Sequence, residues 1–72
     1  MTEYNQAVAT LSQREVEILQ EFANGNRNEI IAKKLYISLH TLKTHTAHIR
    51  AKLNASTMAE AVAIGIRRNI IE

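Results

Sequence analysis

Residues 40–50 bring together side chains that can contact a polyanion. Lys43 can donate to a guanine edge or to a phosphate, while Thr44 and Ala47 can meet thymine methyl groups or leave room for the floor of a groove. All the histidines of the chain lie in the same stretch: His40, His45 and His48. Histidines can donate to phosphates, more strongly when protonated. These residue types predict contact with nucleic acid.

The distribution of charge favours the same interpretation. The formal net charge is only +2, yet residues 27–53 hold six cations and one acidic residue. Residues 1–26 hold one cation and four acidic residues. A basic region of this kind indicates a polyanion partner, nucleic acid first and an acidic membrane second. The alternative is a helix surface whose charges are simply solvated.

Other chemistries lack the residues they need. Successive helical residues turn by about 100°, so His40 and His45 diverge by about 140°, and no cysteine completes a metal site. Glu15 has no partner acid, and there is no activated nucleophile or phosphate-binding loop. We therefore expect no metal, no cofactor and no enzyme activity.

The length of 72 residues predicts one small domain. Without cysteine, a signal peptide or an apolar run that could span a bilayer, the chain is expected to be cytoplasmic, with no membrane partner. The absence of proline, the two glycines and the 46% apolar content favour an all-α fold. Residues 1–10 are expected to form a flexible lead-in and residues 11–72 the domain.

The first helix is expected to begin near Ser12 and to end near Asn24. Ser12 and Glu15 match the S-x-x-E capping box, which fully accounts for Glu15 as a structural residue. Gly25 can adopt the left-handed conformation that ends a helix. One face of this helix is apolar at helical spacing: Leu11, Ile18, Leu19 and Phe22.

Two helices separated by a short turn follow. The first of them starts at Asn28 or Arg27 and ends at Leu35, and the next is capped by Ser38 and covers residues 39–53. Ile37 is expected to plug the corner between them. The inward stripe of the longer helix is Leu42, Ile49 and Leu53, with Thr46 or His45 in the intermediate turn.

A fourth helix is expected from about Met58 to Arg68, where Thr57 and Glu60 repeat the capping-box pattern. This helix contains more small and apolar residues than a thin core can bury. We therefore expect these residues to face inward or toward a partner. These positions are the candidates for a dimer contact: Ala59, Val62, Ala63 and Ile66.

Several motifs spread along the chain resemble those of one family. They are "LSQRE", "ANG", the pattern "IA..L.IS..TLK.H...I..KL" and "EAV". Over Leu11 to about Ile66 the sequence resembles the LuxR-type (LuxR/NarL/GerE-like) helix-turn-helix DNA-binding domain. The resemblance implies a four-helix domain with a three-helix core and a C-terminal dimerisation helix.

The resemblance also implies residue roles. The third helix would enter the major groove with Lys43, Thr44 and Ala47 facing it, while Thr41 and His45 would help to seat that helix. The full set of DNA-contact candidates combines this implication with the cations and capping residues nearby: Lys43, Thr44, Ala47, His40, Thr41, His45, His48, Asn28, Lys34 and Arg50.

The predicted function is that of a bacterial, sequence-specific double-stranded DNA-binding transcriptional regulator. It would act as a homodimer in the nucleoid, with RNA polymerase as a further partner. Two alternatives stay open. One is a promoter-binding module like the fourth region of a sigma factor, and the other is a helical protein-interaction module that does not bind DNA.

Overall fold

The computed structural model describes residues 10–72, and the expected lead-in, Thr10 excepted, lies outside them. These residues form four helices and no strand: α1 Gln13–Ala23, α2 Asn28–Leu35, α3 Leu39–Leu53 and α4 Met58–Arg67. The predicted all-α, four-helix fold is therefore confirmed. Within residues 10–72 no helix combines the length and hydropathy that crossing a bilayer requires.

The capping box at the start of α1 forms as the sequence predicted. The Glu15 N–H donates to Oγ of Ser12 over 3.1 Å, and the Ser12 N–H donates to Oε1 of Glu15 over 2.8 Å. Two backbone donors that have no partner within the helix are thereby satisfied. These two bonds stabilise the start of α1.

Glu15 also takes part in a contact that local sequence does not reveal. Its Oε1 lies 2.8 Å from Nζ of Lys52, near the end of α3, and Glu15 is only 4% exposed. Burial by itself disfavours the charged carboxylate, but the hydrogen bonds from Lys52 and Ser12 and the charge of Lys52 outweigh it. They hold the pKa of Glu15 below its usual value. The carboxylate thus joins α1 to α3.

The connections around α2 depend on two left-handed residues. Gly25, with φ of 90°, follows α1, and the Asn26 N–H bonds the Glu21 carbonyl over 3.1 Å. The N-cap of α2 is Arg27, whose side chain makes no capping bond, and Asn28 is the first helical residue. The sequence left the cap open between these two residues. Arg27 occupies it, although asparagine has the stronger preference for capping.

The turn between α2 and α3 is the second left-handed site. Tyr36 has φ of 58° and is 94% exposed, although glycine or asparagine is the usual residue in this conformation. The Ile37 N–H donates to the Ala32 carbonyl over 3.0 Å, and the Ile37 side chain packs on the core as predicted. Ser38 then caps α3 by accepting from the Thr41 N–H over 3.0 Å.

The core lies where all four helices meet. Its buried apolar residues are Ile18, Leu19, Ile31, Ala32, Leu42, Ile49, Leu53, Ala61, Ile64 and Ile71. Thr46, not His45, completes the inward stripe of α3, and its hydroxyl is satisfied by the Lys43 carbonyl at 2.9 Å. The predicted stripes of α1 and α3 are thus confirmed in their main residues.

The fourth helix corrects part of the sequence interpretation. The core is filled from α4 by Ala61, Ile64 and Gly65, so Ala63 and Ile66 do not point inward. The second capping box is also incomplete: Thr57 caps Glu60, but the Glu60 carboxylate accepts from the Ser56 N–H. The sequence left open whether these residues face inward or toward a partner, because an almost wholly apolar helix shows no single stripe.

The chain returns to the core after α4, which the sequence did not predict. Asn69 is left-handed with φ of 61°, the Ile70 N–H donates to the Gly65 carbonyl over 2.8 Å, and Ile71 is 5% exposed. A Cβ atom at Gly65 would lie only 2.9 Å from Cδ2 of Leu19 and 3.1 Å from Cγ1 of Ile71. A larger residue at this helical position would therefore require the side chains of Leu19 and Ile71 to shift.

Replacement of Glu15 tests whether its charge stabilises the fold. Glu15→Gln keeps an acceptor for the Ser12 N–H but removes the charge opposite Lys52, and should lower the free energy of unfolding by about 1 kcal/mol. Glu15→Ala also removes the cap and should cost about 2 kcal/mol in total. Urea unfolding followed by circular dichroism measures both. If Glu15→Gln were as stable as the original chain, the ion pair would have no stabilising role.

The same contact predicts a pH dependence. The pKa of Glu15 is lower in the folded chain than its ordinary value of 4.5, so its contribution to stability is present above pH 4.5. That contribution is lost as the pH falls through the folded-state pKa. The free energy of unfolding should therefore fall less between about pH 5 and pH 3 for Glu15→Gln than for the original chain. Parallel curves for the two proteins would contradict the lowered pKa.

Candidate nucleic-acid interface

The two faces of α3 are sharply different. Its buried residues are Leu42, Thr46, Ile49 and Leu53, which recur every three or four positions and anchor one side of the helix in the core. The opposite side is exposed, and it contains six of the predicted contact residues: His40, Thr41, Lys43, Thr44, Ala47 and His48. A single buried stripe thus determines which residues the helix can present to a ligand.

Cations border this exposed face without acidic neighbours. The helix itself contains no Asp or Glu. Among residues 10–72, no acidic side chain lies within ion-pair distance of Lys43 or of the half-buried Arg50. Both side chains can therefore respond to an external anion without first breaking an internal pair. Phosphate contacts of this kind position a protein on nucleic acid.

Two other cations of the basic region are engaged inside the protein. Nζ of Lys34 lies 2.9 Å from Oε1 of Glu21, and Lys52 pairs with Glu15. The hydrogen bond from Lys34 is the main reason why the pKa of Glu21 is held below its usual value; Asn26 also donates to this carboxylate. Lys34, a predicted DNA contact, is consequently a weaker candidate than Lys43 or Arg50.

The three histidines occupy different surroundings. His40 and His48 are exposed, whereas His45 is half-buried, as expected for a residue near the helix junction. No group of three or more potential metal ligands comes together in the part of the chain that the structure describes. The exposed pair lies on the same side of α3 as Thr44 and can approach a ligand placed there.

The N-terminal ends of α2 and α3 hold two further candidates. Thr41 is in the first turn of α3, where its Oγ1 accepts from the Ser38 hydroxyl over 3.0 Å and its N–H bonds the same side chain. This pairing orders the start of the helix. Asn28 is half-buried at the start of α2. The free backbone N–H groups at both helix starts favour nearby anions.

Thr44 makes a hydrogen bond that affects what it can offer a ligand. Its hydroxyl donates to the His40 carbonyl one turn earlier over 3.2 Å. Ala51, which is also exposed, continues the face on which Thr44 and Ala47 lie. Sequence reasoning missed Ala51, although its position four residues after Ala47 is the signal that places it there.

The candidates for a dimer contact form one surface. Ala59, Ala63 and Ile66 are exposed and Val62 is half-buried, at the i, i+3, i+4, i+7 spacing of one helix face. Ile66 has 48% of its surface exposed, which is high for an isoleucine. Ala59, Ala63 and Ile66 lie on the side of α4 away from the core that Ala61 and Ile64 fill, and Val62 packs against the edge of that core.

Comparisons with known proteins agree with this geometry. The profile of the family described as "Bacterial regulatory proteins, luxR family" matches residues 9–64. The chain is 46% identical over 61 residues to the uncharacterized transcriptional regulatory protein YxjL of Bacillus subtilis, covering 85% of this chain and 28% of that one. It is 40% identical over 62 residues to the oxygen regulatory protein NreC of Staphylococcus epidermidis, covering 86% and 28%.

A solved structure matches the fold. It is the crystal structure of the response regulator ChrA of a heme-sensing two-component system, with a TM-score of 0.83 and 40% sequence identity. The alignment covers 86% of this chain and 31% of ChrA. The chain thus spans less than a third of the length of each of these three relatives.

The buried stripe of α3, the short turn before it and the family profile over most of the chain lead to one conclusion. The resemblance detected in the sequence is confirmed. The chain belongs to the luxR family of bacterial regulatory proteins.

Proposed function

We propose that this domain binds double-stranded DNA by placing the exposed face of α3 in the major groove. The observation that carries the proposal is the exposed, acid-free face of α3, bordered by Lys43, on a helix whose other side is fixed in the core. The major groove of B-DNA is wide enough to admit an α-helix. Lys43 and Arg50 would contact phosphates or base edges, and His40 and His48 would add donors.

We also propose how the domain assembles and which partners the whole regulator has. The apolar face of α4 supports a homodimer whose half-sites lie about one helical turn apart. RNA polymerase as a partner and a location at the cytoplasmic nucleoid follow from the class of regulator. The relatives described above are regulators, which favours this function over a sigma-factor module. NreC is an oxygen regulatory protein, and ChrA is the response regulator of a heme-sensing two-component system.

Lys43 provides the most direct test of the groove contact. We expect Lys43→Ala to weaken binding to a selected duplex about 10-fold to 100-fold, since a hydrogen bond to a charged group contributes about 1.5–3 kcal/mol. Lys43→Glu should weaken it further by repulsion. Fluorescence anisotropy measures both. Arg14→Ala is the control. It also removes one positive charge, but from an exposed side chain of α1, and should change the affinity much less.

The salt dependence of Lys43→Ala distinguishes the two roles that the sequence left open. If Lys43 neutralises a phosphate, the slope of log affinity against log salt becomes shallower by about 0.9. If it contacts a guanine edge, sequence discrimination decreases at one position. Affinity equal to that of the original chain on every duplex would contradict the proposal. Absence of binding to any duplex at low salt would overturn it altogether.

The dimer is tested by placing a charge on the exposed face of α4. Ala63→Glu and Ile66→Glu should abolish cooperative binding to a duplex with two half-sites, because a like charge would lie on both sides of a two-fold contact. Binding to a single half-site should remain. Light scattering with and without DNA gives the stoichiometry, and thermal melting checks the fold. Unchanged cooperativity in both variants would exclude this face.

A further inference from the structure

The exposed face of α3 contains three methyl-bearing residues that follow His40, an exposed residue in the same sector of the helical wheel one turn before Thr44. With about 100° per residue, Thr44, Ala47 and Ala51 lie within about 60° of one another, opposite the buried stripe. All three are exposed. Lys43 and Arg50 lie to one side, with Arg50 about 120° from Thr44 on the helical wheel. We call Thr44, Ala47 and Ala51 the methyl strip.

The hydrogen bond of Thr44 makes this strip more apolar than its sequence suggests. The hydroxyl donates to the His40 carbonyl, so its single donor is used inside the helix. What Thr44 retains for a ligand is mainly its γ-methyl group. Ala47 and Ala51 add one β-methyl group each. The strip therefore offers methyl groups and no side-chain hydrogen-bond donor.

Adenine and cytosine have no matching polar side chain on this helix. The sequence of α3 is LHTLKTHTAHIRAKL, which contains no Asn or Gln for a bidentate contact with adenine and no Asp or Glu to accept from cytosine, whereas Lys43 and Arg50 can donate to guanine. Besides its donors and acceptors, the major groove presents one apolar group, the C5-methyl group of thymine. An apolar strip in contact with that group excludes water from both surfaces, which is favourable.

We propose that the methyl strip selects half-sites by contact with the C5-methyl groups of thymine, and that Ala51 is a specificity-determining residue together with Thr44 and Ala47. This inference rests on the proposed placement of α3 in the major groove. Thr44 and Ala51 are seven residues apart, about 10.5 Å along the helix. That length corresponds to about three base steps of 3.4 Å, so the strip can reach more than one thymine.

Uracil substitution tests the proposal, because deoxyuridine differs from thymidine only by the missing methyl group. The duplex bound most tightly by the 72-residue chain is first selected from a random pool. Thymines of its half-site are then replaced by deoxyuridine one at a time. At one or more positions the affinity should fall about fourfold, the effect of removing one buried methyl group. Deoxyuridine in the flanking sequence is the control.

A Thr44→Ser variant identifies the protein side of the contact. Serine keeps the hydroxyl and its bond to the His40 carbonyl but lacks the methyl group. At the position that Thr44 contacts, the loss caused by deoxyuridine should shrink from about fourfold toward onefold, which is a measured coupling between two methyl groups. An equal loss in both proteins at every position would overturn the role of Thr44.

Ala51 is tested by a change of preference. Ala51→Asn places a carboxamide over the end of the strip, where it can bond adenine, so selection with this variant should enrich adenine at one position. An unchanged selected sequence would remove Ala51 from the proposal. If the chain selects duplexes whose affinity is insensitive to every thymine methyl group, the strip proposal fails and DNA binding stands. If no duplex is selected, both fail.

Discussion

The Glu15 carboxylate links the start of α1 to the end of α3. It accepts from the Ser12 N–H and from Lys52, each over 2.8 Å, while almost wholly removed from solvent. A buried carboxylate without such partners would cost several kcal/mol, so α1 and the end of α3 must stay together for it to remain charged. At its other end, α3 is held by the Ser38 cap and the left-handed Tyr36 turn. The helix is thus fixed at both ends, and the face between them is presented to solvent.

The same acidic residues that stabilise the fold also decide which cations are available for a ligand. The acidic first third and the basic middle third of the sequence meet as ion pairs between helices, with Glu15 and Glu21 engaging Lys52 and Lys34. Lys43 and Arg50 have no such pair within residues 10–72. The cationic surface is therefore narrower than the composition suggests. On the exposed face of α3, Thr44, Ala47 and Ala51 lie beside these cations.

Close packing around Gly65 accompanies the orientation of α4 on the core. Leu19 and Ile71 approach Gly65 so closely that any side chain at this position would displace one of them. With this close packing, Ala61 and Ile64 fill the core and Ile66 remains outside. The side of α4 that carries Ala59, Ala63 and Ile66 is exposed. A surface of this kind is available to a second copy of the domain because the core of a single copy does not require it.

The sequence by itself determined the four helices, most of their ends and the inward stripes of α1 and α3. Capping boxes, left-handed glycine and helical periodicity act through contacts between residues at most a few positions apart. It also identified residues that α3 exposes to solvent, because a helix with one buried stripe has only one opposite face. Tyr36 was not predicted to be left-handed, because tyrosine has little preference for that conformation. Ion pairing of Lys34 and Lys52, the orientation of α4 and the return of Ile71 were decided only by the tertiary structure. The physical reason is distance along the chain: Glu15 meets Lys52 across 37 residues, and no local pattern specifies which distant side chains come together.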